Sequence, residues 1–170
     1  MHELRELYKL YSKMVYNLAL SYVQNVEDAE EIVQDVFLKV HDRQNEFRGD
    51  SAVKTWIYRI TVNTSLDYLK KQKAAKRSFL QRLSGKSVEE PAHFNHPGIQ
   101  LEEKEAYGKL FGAINELPMQ QKTALILLKI EGMSQAEAAE VMELSPKAVE
   151  SLFQRAKASL SQKLQRAKEL

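Results

Sequence analysis

Apolar residues recur along this chain at spacings of three and four, with no sustained alternation, which restricts it to helices. Leu4, Leu7, Tyr8, Tyr11, Val15, Leu18 and Tyr22 form a first stripe, and Ile32, Val33, Val36, Phe37 and Val40 a second. Trp56, Ile57, Ile60, Leu66 and Leu69 form a third. Asn25 suits the N-cap of the second helix, and Glu27 and Asp28 in its first turn suit the positive end of the helix dipole. Gly49 breaks the pattern, after which Asp50 or Ser51 can cap the third helix. The expected fold class is all-α.

The string LSGKSVEEPAHFNHPGIQ, 83–100, holds two of the four prolines and two of the six glycines and has no helical periodicity. It reads as a flexible linker between two small helical domains. Beyond it, a helix is expected from about Leu101 to Asn115. Pro118 suits the first position of the next, which ends near Gly132. Ser134 and Glu137 have the spacing of a capping box, and Ser145-Pro146 opens a final helix by a similar cap.

No apolar run approaches the roughly 20 residues that cross a bilayer, and the first residues, MHELRELYKLYSKM, lack a secretory core and cleavage site. Membrane insertion is not expected, and a cytoplasmic location is. The absence of cysteine excludes disulfides, thiolate zinc sites and cysteine nucleophiles. His93 and His96 have a metal-like spacing but no nearby third ligand. No catalytic set, metal or cofactor is expected. The net charge of +2 conceals a division. Glu27, Asp28, Glu30, Glu31 and Asp35 form an acidic cluster, while Lys70, Lys71, Lys73, Lys76, Arg77 and Arg82 form a basic one. Such runs are often solvated faces, but their separation also suits one surface for a polyanion and another for a basic protein.

The segment 134–160 combines a short helix, a tight turn at Glu143-Leu144-Ser145 and a longer helix. Ala139 is small where the helices cross, Leu144 folds the turn inward, and Val149, Phe153, Ala156 and Leu160 share one stripe. Lys147, Glu150, Ser151 and Gln154 lie opposite, with Ala148, Arg155 and Lys157 beside them, at the face able to meet base edges and phosphates. A plain helical hairpin would satisfy the same spacing, and Glu150 weakens the basic character of the face.

A second constellation occupies 46–73, where Arg48, Lys54, Arg59, Lys70, Lys71 and Lys73 are interleaved with Trp56, Tyr58 and Tyr68. Aromatic rings among cations suit unstacked bases on a charged backbone. The Asn63 amide, both donor and acceptor, suits an extruded base. Trp56 also shares a stripe with Ile60, so a core role fits it equally.

DAEEIVQDVFLKVH (28–41), FRGDSAVKTWIYRITVNTSLDYL (47–69) and EGMSQAEAAEVMELSPKAVESLFQRAKASL (131–160), in that order, resemble extracytoplasmic-function sigma factors of the sigma-70 family. The resemblance implies sigma region 2 over 1–77, a linker over 78–101 and region 4 over 102–170. It implies docking of Asp28, Glu31, Gln34, Asp35 and Leu38 on the beta-prime clamp helices of RNA polymerase core. Phe47, Arg48, Gly49, Asp50, Ser51, Lys54, Trp56, Arg59, Asn63 and Lys70 would serve the minus-ten element. Lys147, Ala148, Glu150, Ser151, Gln154, Arg155 and Lys157 would serve the minus-35 element, with region 4 seated on the beta flap. Promoter DNA and an anti-sigma factor are the other implied partners. Glu150 and Leu152 stand where many members carry basic residues, so the family's base contacts do not transfer. The rival reading is a helix-turn-helix regulator that never docks on polymerase, which the 47–69 block argues against.

Overall fold

The computed structural model describes residues 4–47, 52–82 and 103–168. All regular elements among them are helical: α1 (Leu4–Val23), α2 (Val26–Arg43), α3 (Val53–Arg82), α4 (Lys104–Asn115), α5 (Met119–Leu125), α6 (Gln135–Met142) and α7 (Pro146–Lys168). A short 3-10 turn, Gln44–Glu46, follows α2, and α5 widens into a π turn over Ile126–Ile130.

Local signals set the boundaries. Asn25 caps α2 by accepting from the Asp28 N–H at 2.8 Å. Ser134 and Glu137 form the complete capping box of α6. The Ser145 hydroxyl accepts from the Ala148 N–H at 3.1 Å and so caps α7. Gly132, at φ +68, ends the π turn in a conformation glycine adopts without strain.

Three boundaries differ from expectation. Pro118 stands before α5 with an extended ψ of 143 and is not its first residue. α4 begins at Lys104. α3 runs to Arg82, because 78–82 contain neither glycine nor proline, so these residues extend the helix where a linker was expected. The rest of that linker, with His93 and His96, lies outside the described residues, as do Asp50 and Ser51.

The first three helices enclose one core, in which Val15, Ala19, Ile32, Val36, Val40 and Ile57 are fully buried. The second core is shared between the two halves. Leu18 and Tyr22 of α1 and Tyr58 and Val62 of α3 join Ile114, Leu117, Ile126, Leu127, Val149 and Phe153 in one apolar cluster. At about 1.5–3 kcal/mol for each fully buried large side chain, this shared surface holds the halves together.

Polar groups stitch the same junction. The Tyr22 hydroxyl donates to Thr123 Oγ1 at 2.9 Å. Lys122 Nζ donates to the Tyr22 carbonyl at 2.8 Å and to Asn115 Oδ1 at 2.6 Å. Asn115 Nδ2 in turn donates to Gln24 Oε1 at 2.7 Å. Gln24, at φ 56 between α1 and α2, is a left-handed non-glycine residue whose side chain also donates to the Ser21 carbonyl at 2.9 Å.

Candidate nucleic-acid interface

Along α3 the described members of the expected minus-ten set do not share one face. Trp56, Arg59 and Asn63 follow at i, i+3 and i+7 and form a stripe, continued by Lys70. Lys54 lies round the helix, with its ammonium 5.9 Å from the centre of the Tyr58 ring. Its charge also acts on Glu131 and Glu137 of the second half. Arg48, Gly49, Asp50 and Ser51 lie outside the described residues.

Trp56 is half-buried and stacks obliquely on Phe47, with ring centroids 5.2 Å apart, so it serves the core while one side stays accessible. Asn63 is exposed, and its side chain makes no hydrogen bond to another described residue. Its amide is thus available to a base edge. Lys70 pairs with Asp67 at 3.6 Å on the exposed surface. Arg59 is committed elsewhere. Its Nε donates to the Glu140 carbonyl at 2.9 Å, and its guanidinium stands 3.7 Å from Glu143.

Beside Arg59, the Tyr58 hydroxyl donates to Glu131 Oε2 at 3.0 Å. Burial pushes the Tyr58 phenol up, and the neighbouring Glu131 charge adds to it. Burial also raises the Glu131 carboxyl, against the opposing effects of the Tyr58 hydrogen bond and of Lys54. The α3 face nearest the helix-turn-helix is therefore occupied by the second half.

The acidic α2 surface divides similarly. Asp28 accepts from Tyr68 at 2.6 Å, from Gln72 at 3.1 Å and from Asn25 at 2.5 Å, which fixes it in the α2–α3 junction. Burial, then the Asp28 hydrogen bond, pushes the Tyr68 phenol up. Glu31, Gln34 and Leu38 form an exposed stripe at i, i+3 and i+7, with Leu38 63% exposed. Asp35 is half-buried and lines a groove with Lys39, Thr64, Tyr68 and Lys71.

In the helix-turn-helix, Ala138, Ala139 and Val141 of α6 meet Val149, Phe153, Ala156 and Leu160 of α7 inside the core. The turn passes through Glu143 in the left-handed conformation, φ 55. Lys147, Ser151, Gln154, Arg155 and Lys157 are exposed, and Ala148 and Glu150 half-buried, so α7 presents a continuous polar face. Lys157 lies 5.3 Å from the Phe153 ring centre. Glu150 meets Gln154 and, from α6, Gln135, a residue that spacing could not associate with it because the two are on different helices.

Two helical units, one with an exposed aromatic and amide stripe and one with a capped helix-turn-helix, match two family models. Sigma-70 region 2 matches residues 7–75, and Sigma-70, region 4, matches residues 108–160. The chain belongs to the sigma-70 family. An ECF RNA polymerase sigma-E factor of Haemophilus influenzae is 32% identical over 161 residues, covering 91% of this chain and 84% of that protein. This places the sigma factor in the extracytoplasmic-function branch. Sigma factors are non-enzymatic recognition subunits for transcription initiation.

A structure of CnrH in complex with the cytosolic domain of CnrY superposes with a TM-score of 0.64 at 26% identity, covering 96% of the sigma factor and 88% of CnrH. RpoE in complex with the anti-sigma factor NepR from Bartonella quintana has the same fold. Its TM-score is 0.64 at 24% identity, covering 95% and 96% of the two chains. Among the described residues, no helix is long and apolar enough to cross a membrane, and no group of three or more potential ligands gathers for a metal.

Proposed function

We propose that this sigma factor binds RNA polymerase core through the exposed Glu31, Gln34 and Leu38 stripe and Asp35, opens the minus-ten element with α3, and reads the minus-35 element with α7. The observation that carries the reading is the Asn63 amide, exposed and unbonded among the described residues, on the same α3 stripe as Trp56. A protein that only grips duplex DNA has no use for an aromatic and amide surface suited to an unpaired base. Asp28 contributes by holding α2 against α3, and Arg48, Gly49, Asp50 and Ser51 complete the proposed minus-ten set.

Arg59 can reach a DNA phosphate only if α6 leaves it, so polymerase holds the halves at a spacing different from the docked one. The beta flap takes region 4. An anti-sigma factor is the expected negative partner, in line with the CnrY and NepR complexes of the structural relatives. The site of action is the cytoplasm. The test is reconstitution of the full chain with polymerase core and mapping of transcript starts. Starts sharing two spaced upstream elements are expected, and failure to bind core overturns the reading.

A further inference from the structure

The Glu150 carboxylate on α7 has two amide partners and, among the described residues, no ion pair. Its Oε1 accepts from Gln154 Nε2, one turn along α7, at 2.5 Å, and its Oε2 accepts from Gln135 Nε2 on α6. Glu150 is half-buried, while both glutamines are exposed. An ionised carboxylate only accepts hydrogen bonds, so each glutamine must turn its NH2 end toward Glu150 and its carbonyl oxygen away.

The orientation has a consequence for readout. After donating one N–H to Glu150, the Gln154 amide keeps one N–H and Oε1. A donor and an acceptor side by side complement the major-groove edge of adenine, which offers N7 as acceptor and N6–H as donor. Without an anchor, an exposed glutamine samples many rotamers and either amide orientation. Direct contact of Glu150 with a cytosine amino group would require it to release one glutamine and would bring an anion to a phosphate-lined groove. Gln135 braces the arrangement from the first turn of α6, the helix that crosses the DNA backbone in this motif.

We propose that Gln154 reads an adenine in the minus-35 element and that Glu150 is its positioning residue, braced across the helix-turn-helix by Gln135. The proposal rests on α7 being the minus-35 reader. It gives a role to the one acidic residue of the α7 reading face.

The test uses polymerase reconstituted with the full chain and a promoter library randomised through the minus-35 element, with transcripts sequenced. The wild-type chain is expected to prefer adenine at one position, and Gln154→Ala to lose that preference by about tenfold. Glu150→Ala should relax the same position by about threefold, and Glu150→Ala with Gln154→Ala should be no worse than Gln154→Ala alone. Thermal midpoint and polymerase affinity should not change, which separates positioning from a folding role. An unchanged profile in Gln154→Ala, or a Glu150→Ala effect confined to a cytosine position, overturns the proposal while leaving α7 as the reader. A wild-type profile without base preference across the element overturns that parent reading, and this proposal with it.

Discussion

Lys122 Nζ donates to the main-chain carbonyl of Tyr22 across 2.8 Å, joining residues 100 apart in sequence at the contact between the two halves. Lys122 is 3% exposed. Burial, reinforced by the charge of Lys73, pushes its pKa down to about 7. The neutral amine still has two N–H groups for its two acceptors, Tyr22 O and Asn115 Oδ1, so the contact survives deprotonation.

The pH dependence follows in sign. The folded pKa lies below the ordinary 10.5, so between pH 7 and that value the unfolded chain binds more protons. Stability contributed by this site should therefore rise with pH through the window, by at most about 1.4 kcal/mol per pH unit. Lys122→Met should abolish that rise and lower stability, because the buried Tyr22 carbonyl and the half-buried Asn115 amide lose their donor. Denaturation midpoints at pH 7 and pH 9 check this, and equal slopes in the two proteins would contradict it.

Tyr22→Phe removes the hydroxyl that donates to Thr123, which is 2% exposed. The expected cost is about 1–2 kcal/mol, the penalty for a buried hydroxyl that loses its partner. Urea titration reads it directly. A change below a few tenths of a kcal/mol would mean that water replaces the bond.

Glu143 adopts φ 55 and is 71% exposed at its side chain, where it faces Arg59 at 3.7 Å. An exposed ion pair contributes little, whereas the left-handed backbone disfavours every residue with a Cβ. Glu143→Gly should leave the thermal midpoint unchanged or raised. Glu143→Val should lower stability by about 1 kcal/mol or more.

Asn63→Ala should leave stability within about 0.5 kcal/mol, as expected for an exposed side chain without partners. Promoter opening, followed by permanganate reactivity of unpaired thymines, should fall well below the wild-type level while affinity for polymerase core is kept. Equal losses in both assays would sink the base-capture role.

Leu38, 63% exposed on α2, adds nothing to the core that burial could explain. Leu38→Glu should preserve the unfolding midpoint and weaken core polymerase binding by about tenfold, as for an apolar anchor at the centre of an interface. Undiminished competition for core would place the docking surface elsewhere.

Much of the local architecture was legible in the sequence because it depends on neighbours. Asn25 and Ser134 cap as their spacing requires, and Val149, Phe153, Ala156 and Leu160 line the inner face of α7. Asn63 and the exposed members of the α7 face also lie where periodicity puts them. The division within each site was not legible. Arg59 and Asp28 share composition with their neighbours, yet each is engaged by a group distant in sequence, and the charge of Lys54 acts on Glu131 of the second half. Of the two Glu150 partners, Gln154 lies at the i+4 spacing of one helix, but Gln135 was hidden for the same reason, since no spacing rule links α6 to a side chain on α7.

The sequence by itself determined helices, the caps at Asn25, Ser134 and Ser145, the inward stripes and the family, because these follow from periodicity and from motifs contiguous in the chain. Tertiary structure alone decided which of the charged residues are free. Lys122 in MQQKTAL looks like an ordinary surface lysine, and only the approach of α1 buries it. The physical reason is that burial and hydrogen-bond partnership across a hundred residues depend on the relative placement of helices, which local periodicity does not encode. So too for Glu150: the sequence marked it as an acidic departure on a reading helix, and the fold turned that departure into an anchor for two glutamines.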